Sequence, residues 1–214
     1  PNVPVAVMQH QYVVTELIPE IEEYHKQHGE FATLRDAYSA MYMRREQKGI
    51  CLGCYETEGA QFFSPKGMPP DWDTELLPNH IEAVAPWMAM ATETLPIFEK
   101  AGIKTIINGP QIFSVTGKTY VGRAPGLQNF WQLCGSSTGI TQGGGTAKML
   151  AQYMIKGEAE ISLDSYDPAN IGAHVDRTYT LDRVKAIFEH VFHFFSPYEE
   201  PYGARPGFCD PLYD

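Results

Sequence analysis

The segment GSSTGITQGGGTAKMLAQYMIKGE, Gly135 to Glu158, constrains the fold more than any other part of the chain. It comes after a short apolar run, NFWQLCG, and opens on small uncharged residues. It continues as a helix whose Ala147, Leu150, Ala151 and Met154 share one face. Gly157 stands where a helix stop belongs. No charge occurs from Ala124 to Ala147. Strand, glycine turn, helix is an arrangement that lays free amides and the positive end of a helix dipole beside an electron-rich group. Glycine there also lets a ligand approach the backbone. The usual phosphate loops are absent, since neither G-x-x-x-x-G-K-[ST] nor G-x-G-x-x-G occurs in the chain. The alternative is a Gly-rich turn packed closely on a neighbouring strand.

The 214 residues carry a formal net charge of −10, which disfavours nucleic acid or an anionic membrane surface as a partner. The longest uncharged run is rich in Gly, Ser, Thr and Gln and cannot span a bilayer. The chain opens mid-strand without an initiator Met, and is expected to be a fragment of something longer. Cys51 and Cys54 fall on a strand and point to opposite faces, so this CxxC does not chelate one metal. No other group has ligand spacing, and no metal is expected.

The pattern predicts an α+β fold. Val3–Glu16 reads as a strand with His10, Tyr12 and Val14 on one face. Three antiparallel strands come next between Phe31 and Glu56, turning near Asp36–Ser39 and at Lys48-Gly49. Asn79–Gly102 reads as helix, capped by Asn79 and broken or kinked by Pro86 and Pro96, so that two pieces rather than one rod are expected. Asn108-Gly109-Pro110 reads as a turn between strands. Leu181–Phe195 reads as a last helix, with a Pro/Gly-rich tail after it.

The stretches HQYVVTE, GCYE, AGIKTIINGPQIFSVTGK, GRAPGLQNFW and STGITQGGGTAKMLAQYMIKGE occur in an order that resembles the C-terminal half of the flavin domain of the dimethylglycine/sarcosine dehydrogenase family, within the glycine-oxidase/D-amino-acid-oxidase class. The tail YEEPYGARPGFCDPLYD is similar to the stretch directly C-terminal to that domain in the family. The resemblance implies an antiparallel substrate-binding sheet with flanking helices, returning to a strand–Gly turn–helix that completes an FAD-binding domain. It divides the chain into a substrate-binding part (1–107), a flavin-contacting return segment (108–165) and a C-terminal extension (166–214). It implies oxidation of the C–N bond of an N-methylated amino acid by hydride transfer to flavin, the iminium then giving formaldehyde or passing to tetrahydrofolate. The partners it implies are that substrate, an N-terminal FAD-binding half or complementary chain, and an oligomer. The compartment is the cytoplasm in a bacterium or the mitochondrial matrix in a eukaryote. The other reading is a non-catalytic subunit or fragment that binds a partner chain. One departure is Ser114-Val115-Thr116-Gly117, where the family usually has Thr-Pro-Asp-Gly.

Carried onto this sequence, the resemblance places Tyr12 beside flavin and substrate, with His10 on the same face; both are the catalytic candidates. Tyr12 is alternatively a half-buried strand tyrosine, and a structural hydrogen-bonded role is the favoured reading of His10. Gly135, Ser136, Ser137, Thr138, Gly139 and Ile140 are the residues expected at the flavin's pyrimidine edge, with Gly109 and Pro110 near the ring. Arg123, Lys148, His190 and His193 read as solvated or structural charges.

Overall fold

The computed structural model describes residues 3–56, 59–194 and 196–197. Its centre is a five-stranded sheet of order β2-β3-β4-β1-β5, antiparallel throughout. The strands are β1 (Val5–Thr15), β2 (Leu34–Asp36), β3 (Met41–Glu46), β4 (Gly49–Cys54) and β5 (Ile103–Ser114). The chain enters this sheet as the alternation in β1 predicts. The β2–β3 turn is set by Asp36, whose carboxylate accepts from the Tyr38 amide (3.0 Å) and the Ser39 hydroxyl.

Both faces of the sheet are apolar, and each has its own helix. On one face Met41, Met43, Ile50, Leu52 and Cys54 pack against Ala91 and Phe98. These belong to α2 (Ile81–Thr94) and the 3-10 turn Pro96–Lys100. On the other face Ala6, Met8 and Phe113 pack against Val184 and Phe188 of α4 (Arg177–Glu189). Asp176 starts α4 by accepting the Tyr179 amide at 2.8 Å. A helix α1 (Pro19–His28) links β1 to β2 and has no buried residue. The hairpin β6 (Tyr120–Arg123) and β7 (Trp131–Cys134) then delivers the chain into α3 (Gly139–Lys156). Gly157, at φ 79°, closes α3 with its amide on the Tyr153 carbonyl.

The structure corrects the sequence expectations at four places. The 79–102 segment is in two pieces as expected, but the break is at Pro96 alone, and Pro86 lies in the second turn of α2. Pro86 and Glu82 are exposed, so the carbonyl that loses its amide partner faces water. The start of α2 is His80, not Asn79, and its amide donates to Gln11 Oε1 at 2.9 Å. Asn108-Gly109-Pro110 is not a turn: β5 runs straight through it, with His10 opposite Gly109 and Gln9 opposite Pro110. β5 is an edge strand, where a proline's missing donor costs no ladder bond on its open side. The division expected at 107/108 therefore falls inside a strand. The last helix ends at Glu189 rather than Phe195, and both Phe195 and the tail from 198 onward lie outside the described residues.

In α3 the shared face read from the sequence is present. Its apolar stripe faces outward: Ala147, Ala151 and Met154 are exposed, Ile140 completely so, and Ile155 is 82% exposed. The face turned inward carries Met149, which is buried, and Tyr153, whose ring meets Trp131 edge-on at 5.3 Å. A helix apolar on both sides is a helix built to be covered twice.

Candidate functional site

β1 carries His10 and Tyr12 to the face shared with α4. The His10 ring lies 4.6 Å from that of Tyr55 and 6.1 Å from Phe188, and Phe188 also meets Tyr55 and Phe113 edge-on. His10 Nε2 is 2.9 Å from the hydroxyl of Tyr42, two strands away. Burial pulls His10 down to about 4 and pushes the Tyr42 phenol up. At neutral pH the pair is therefore imidazole and phenol. Either atom can donate in the Nε2–hydroxyl contact, depending on the imidazole tautomer, and Nδ1 is buried with no partner among the described residues. Tyr12 is half-buried in the same cross-strand row, opposite Gly53, which is itself opposite Tyr42.

Tyr42 is not among the residues singled out from the sequence. A signal was present. In MYMRRE the apolar Met41 and Met43 alternate with Tyr42, so the phenol must point to the face opposite the α2 core. The partner across two strands could not be known without the register.

Gln111 joins this face to the entrance of α3. Its Nε2 donates to the Tyr55 hydroxyl at 3.1 Å and to the Ser137 carbonyl at 3.4 Å. Gln111 Oε1 and Ser136 Oγ are buried without partners among the described residues. At the helix start Thr138 makes no side-chain cap. Thr141 and Gln142 amides both bond the Thr138 carbonyl, at 3.1 and 3.0 Å. The amides of Gly139 and Ile140, at the first two helical positions, have no intrahelical acceptor.

The two readings of the glycines divide by position. Gly135 is a packing glycine: its φ is 77°, and a Cβ would stand 3.2 Å from both Ser114 Cβ and Val5 Cγ1. Gly139, Gly143, Gly144 and Gly145 are the opposite case, since a Cβ at any of them would meet nothing within 4 Å. No contact among the described residues asks for glycine there. Open backbone, free amides and an orphaned Ser136 hydroxyl fit a planar, electron-rich group better than an internal neighbour. Gly109 has only Leu76 near its missing side chain, at 3.9 Å.

The remaining polar residues stay outside this cluster. Lys148 pairs with Glu160 at 2.6 Å on the surface. His190 Nδ1 donates to the Ala186 carbonyl at 2.7 Å, as a helix-terminal histidine does. Arg123 is exposed and lines a separate cleft with Gly126, Tyr153 and Asp167. Glu56, buried with one carboxyl oxygen unpartnered among the described residues, is pushed up to about 7 by desolvation.

A family model for the FAD dependent oxidoreductase class matches residues 1–153, and this chain belongs to that family. It is 30% identical over 207 residues to mitochondrial dimethylglycine dehydrogenase of Mus musculus, covering 95% of this chain and 24% of that protein. It is 30% identical over 222 residues to mitochondrial sarcosine dehydrogenase of Mus musculus, covering 100% and 22%. The mitochondrial pyruvate dehydrogenase phosphatase regulatory subunit of Mus musculus is 28% identical over 191 residues, covering 85% and 21%. The chain thus spans less than a quarter of these relatives' length. Glycine oxidase from Geobacillus kaustophilus shares the fold, with a TM-score of 0.57 at 17% identity over 80% of this chain and 41% of that one. The family and these relatives point to FAD as the cofactor. Among the described residues no helix is long and apolar enough to cross a membrane.

Proposed function

We propose that this chain is the substrate-binding and flavin-capping part of an FAD-dependent enzyme that oxidises the C–N bond of an N-methylated amino acid, of the dimethylglycine or sarcosine type. The observation that carries this reading is the His10–Tyr42 pair, linked through Tyr55 and Gln111 to the Ser137 carbonyl at the α3 entrance. Sequence identity to the two dehydrogenases supports the substrate class.

Bound FAD supplies the hydride acceptor. Ser136, Ser137, Thr138, Gly139 and Ile140 would hold it with backbone donors and the α3 dipole, Gly135 keeping the turn tight, and Gly109 and Pro110 would leave β5 bare on its side. The protein's own task is the amine proton, because hydride leaves only from a neutral amine. The Tyr42 hydroxyl accepts a hydrogen bond from the substrate ammonium while donating to His10 Nε2. Burial holds His10 near 4, so the imidazole stays neutral and fixes the Tyr42 hydroxyl against the amine, while the amine's proton leaves to water. The Tyr12 hydroxyl, with no hydrogen bond among the described residues, orients the substrate carboxylate. The outward apolar stripe of α3 docks the N-terminal FAD-binding half or a complementary chain. The compartment is the mitochondrial matrix in a eukaryote and the cytoplasm in a bacterium.

The match to a phosphatase regulatory subunit favours a second reading, a non-catalytic module that binds a partner. Anaerobic titration of the whole protein separates the two. Dimethylglycine or sarcosine is expected to bleach the oxidised-flavin band stoichiometrically. A protein that retains no flavin, or whose flavin neither amine bleaches, supports the partner-binding module instead.

A further inference from the structure

Gly53 is the penultimate residue of β4 and is paired on both sides, where glycine weakens a strand and needs a reason. Conformation is not the reason, because its φ is outside the left-handed region; Gly122, on β6, is a strand glycine at positive φ, and Gly53 is not. Space is. A Cβ at Gly53 would fall on the end of the Tyr42 phenol, with Cζ, the hydroxyl and Cε1 all well under 3.0 Å away. Tyr42 is directly opposite Gly53 on β3, and His10 and Tyr12 are on β1, the strand on the far side of β4. The phenol thus crosses β4 over the bare backbone of Gly53 to reach a histidine two strands away.

We infer that Gly53 is a positioning residue: it is the gap through which Tyr42 reaches His10, and any side chain there uncouples the pair. The inference rests on the reading of that pair as the proton-handling group. It extends that reading to a residue that has no polar side chain and touches no substrate. An ordinary contact begins near 3.4 Å, so even a methyl group displaces the phenol by more than about an ångström. A hydrogen bond of 2.9 Å does not survive that shift along a rigid ring with two torsions. The Tyr55 and His10 rings flank that of Tyr42 at 6.3 and 5.9 Å between centroids, and Tyr42 is half-buried, so the room left to a displaced phenol lies away from them and away from His10.

The test is a cycle in the whole flavoprotein with Gly53→Ala, Tyr42→Leu, Tyr42→Phe and the double variants. Thermal melting reads the steric claim without any turnover. Gly53→Ala is expected to lower the melting temperature by roughly 5 °C with Tyr42 present and to cost nothing beside Tyr42→Leu, where the ring is gone. If Gly53→Ala alone fails to fold, recovery of folding in the Gly53→Ala/Tyr42→Leu protein supports the inference. An equal cost in both backgrounds, or failure of both to fold, overturns it. The pH profile of flavin reduction reads the positioning claim. Gly53→Ala is expected to slow reduction at least tenfold and to reproduce the Tyr42→Phe profile, with no further loss when the two are combined. A wild-type profile in Gly53→Ala overturns the inference. Should Tyr42→Phe itself leave reduction unchanged, the proton-handling reading fails while the melting cycle still decides the steric one.

Discussion

Tyr42→Phe is expected to slow flavin reduction by an N-methylated amino acid by roughly ten- to a thousand-fold, while costing only about 1 kcal/mol of stability. The ring, its place over Gly53 and its contacts with Tyr55 remain. Only the hydroxyl that joins substrate to His10 is lost. Single-turnover bleaching under anaerobic conditions, across pH, measures it. With that hydroxyl gone nothing in the site favours the neutral amine, so reduction depends on amine already neutral in solution and the variant's rate keeps rising with pH where the wild-type rate has levelled. Tyr12→Phe is the comparison. It removes a hydroxyl from the same cross-strand row without touching the His10 bond, so its effect falls mainly on substrate binding. Equal rates for wild type and Tyr42→Phe would remove the pair from the chemistry. His10 adds a signature of its own. Its folded value near 4 lies below the ordinary 6.5, so the unfolded chain binds more protons between those values. The stability held above pH 6.5 is lost as pH falls through 4, by on the order of 3 kcal/mol.

Gly139→Val carries the second large effect, and its direction is unusual. There is room for the side chain among the described residues, since none of them stands within 4 Å of a Cβ at Gly139. Valine is also a better helix residue than glycine. Stability is therefore expected to hold or rise slightly. Flavin retention is expected to fall and the flavin reduction potential to drop, because the branched side chain keeps an electron-rich ring away from the Gly139 and Ile140 amides. Losing such a preorganised donor costs on the order of 3 kcal/mol. Flavin stoichiometry after gel filtration and a redox titration measure the two outcomes. Unchanged stoichiometry together with an unchanged potential would separate the α3 entrance from the flavin.

Local interactions were the legible ones. The alternation in β1, the turn chemistry at Asp36–Ser39 and the glycine stop at Gly157 are all set within a few residues, and the structure has them where the pattern put them. The α+β class came from those. Long-range features were read less well. Asn108-Gly109-Pro110 has the composition of a turn, and only its place on an edge strand makes it a strand. The stripe Ala147, Ala151, Met154 was legible as apolar, but no pattern says whether a stripe faces its own core or another body's. His10 was singled out while Tyr42 was not. Their meeting depends on β3 and β1 flanking β4 in register, with a glycine at the one position between them. Phe188 closes the same cluster from a helix more than 130 residues away, counted from Tyr55.

The most direct measurement is a structure of the whole protein with its flavin and a bound, unreactive N-methylated amino acid analogue. The account predicts the pyrimidine edge of the flavin within hydrogen-bond distance of the amides at Thr138–Ile140, and the analogue's amine against the Tyr42 hydroxyl with Tyr42 still on His10. A flavin held away from the α3 entrance, or an amine bound out of reach of Tyr42, would contradict it.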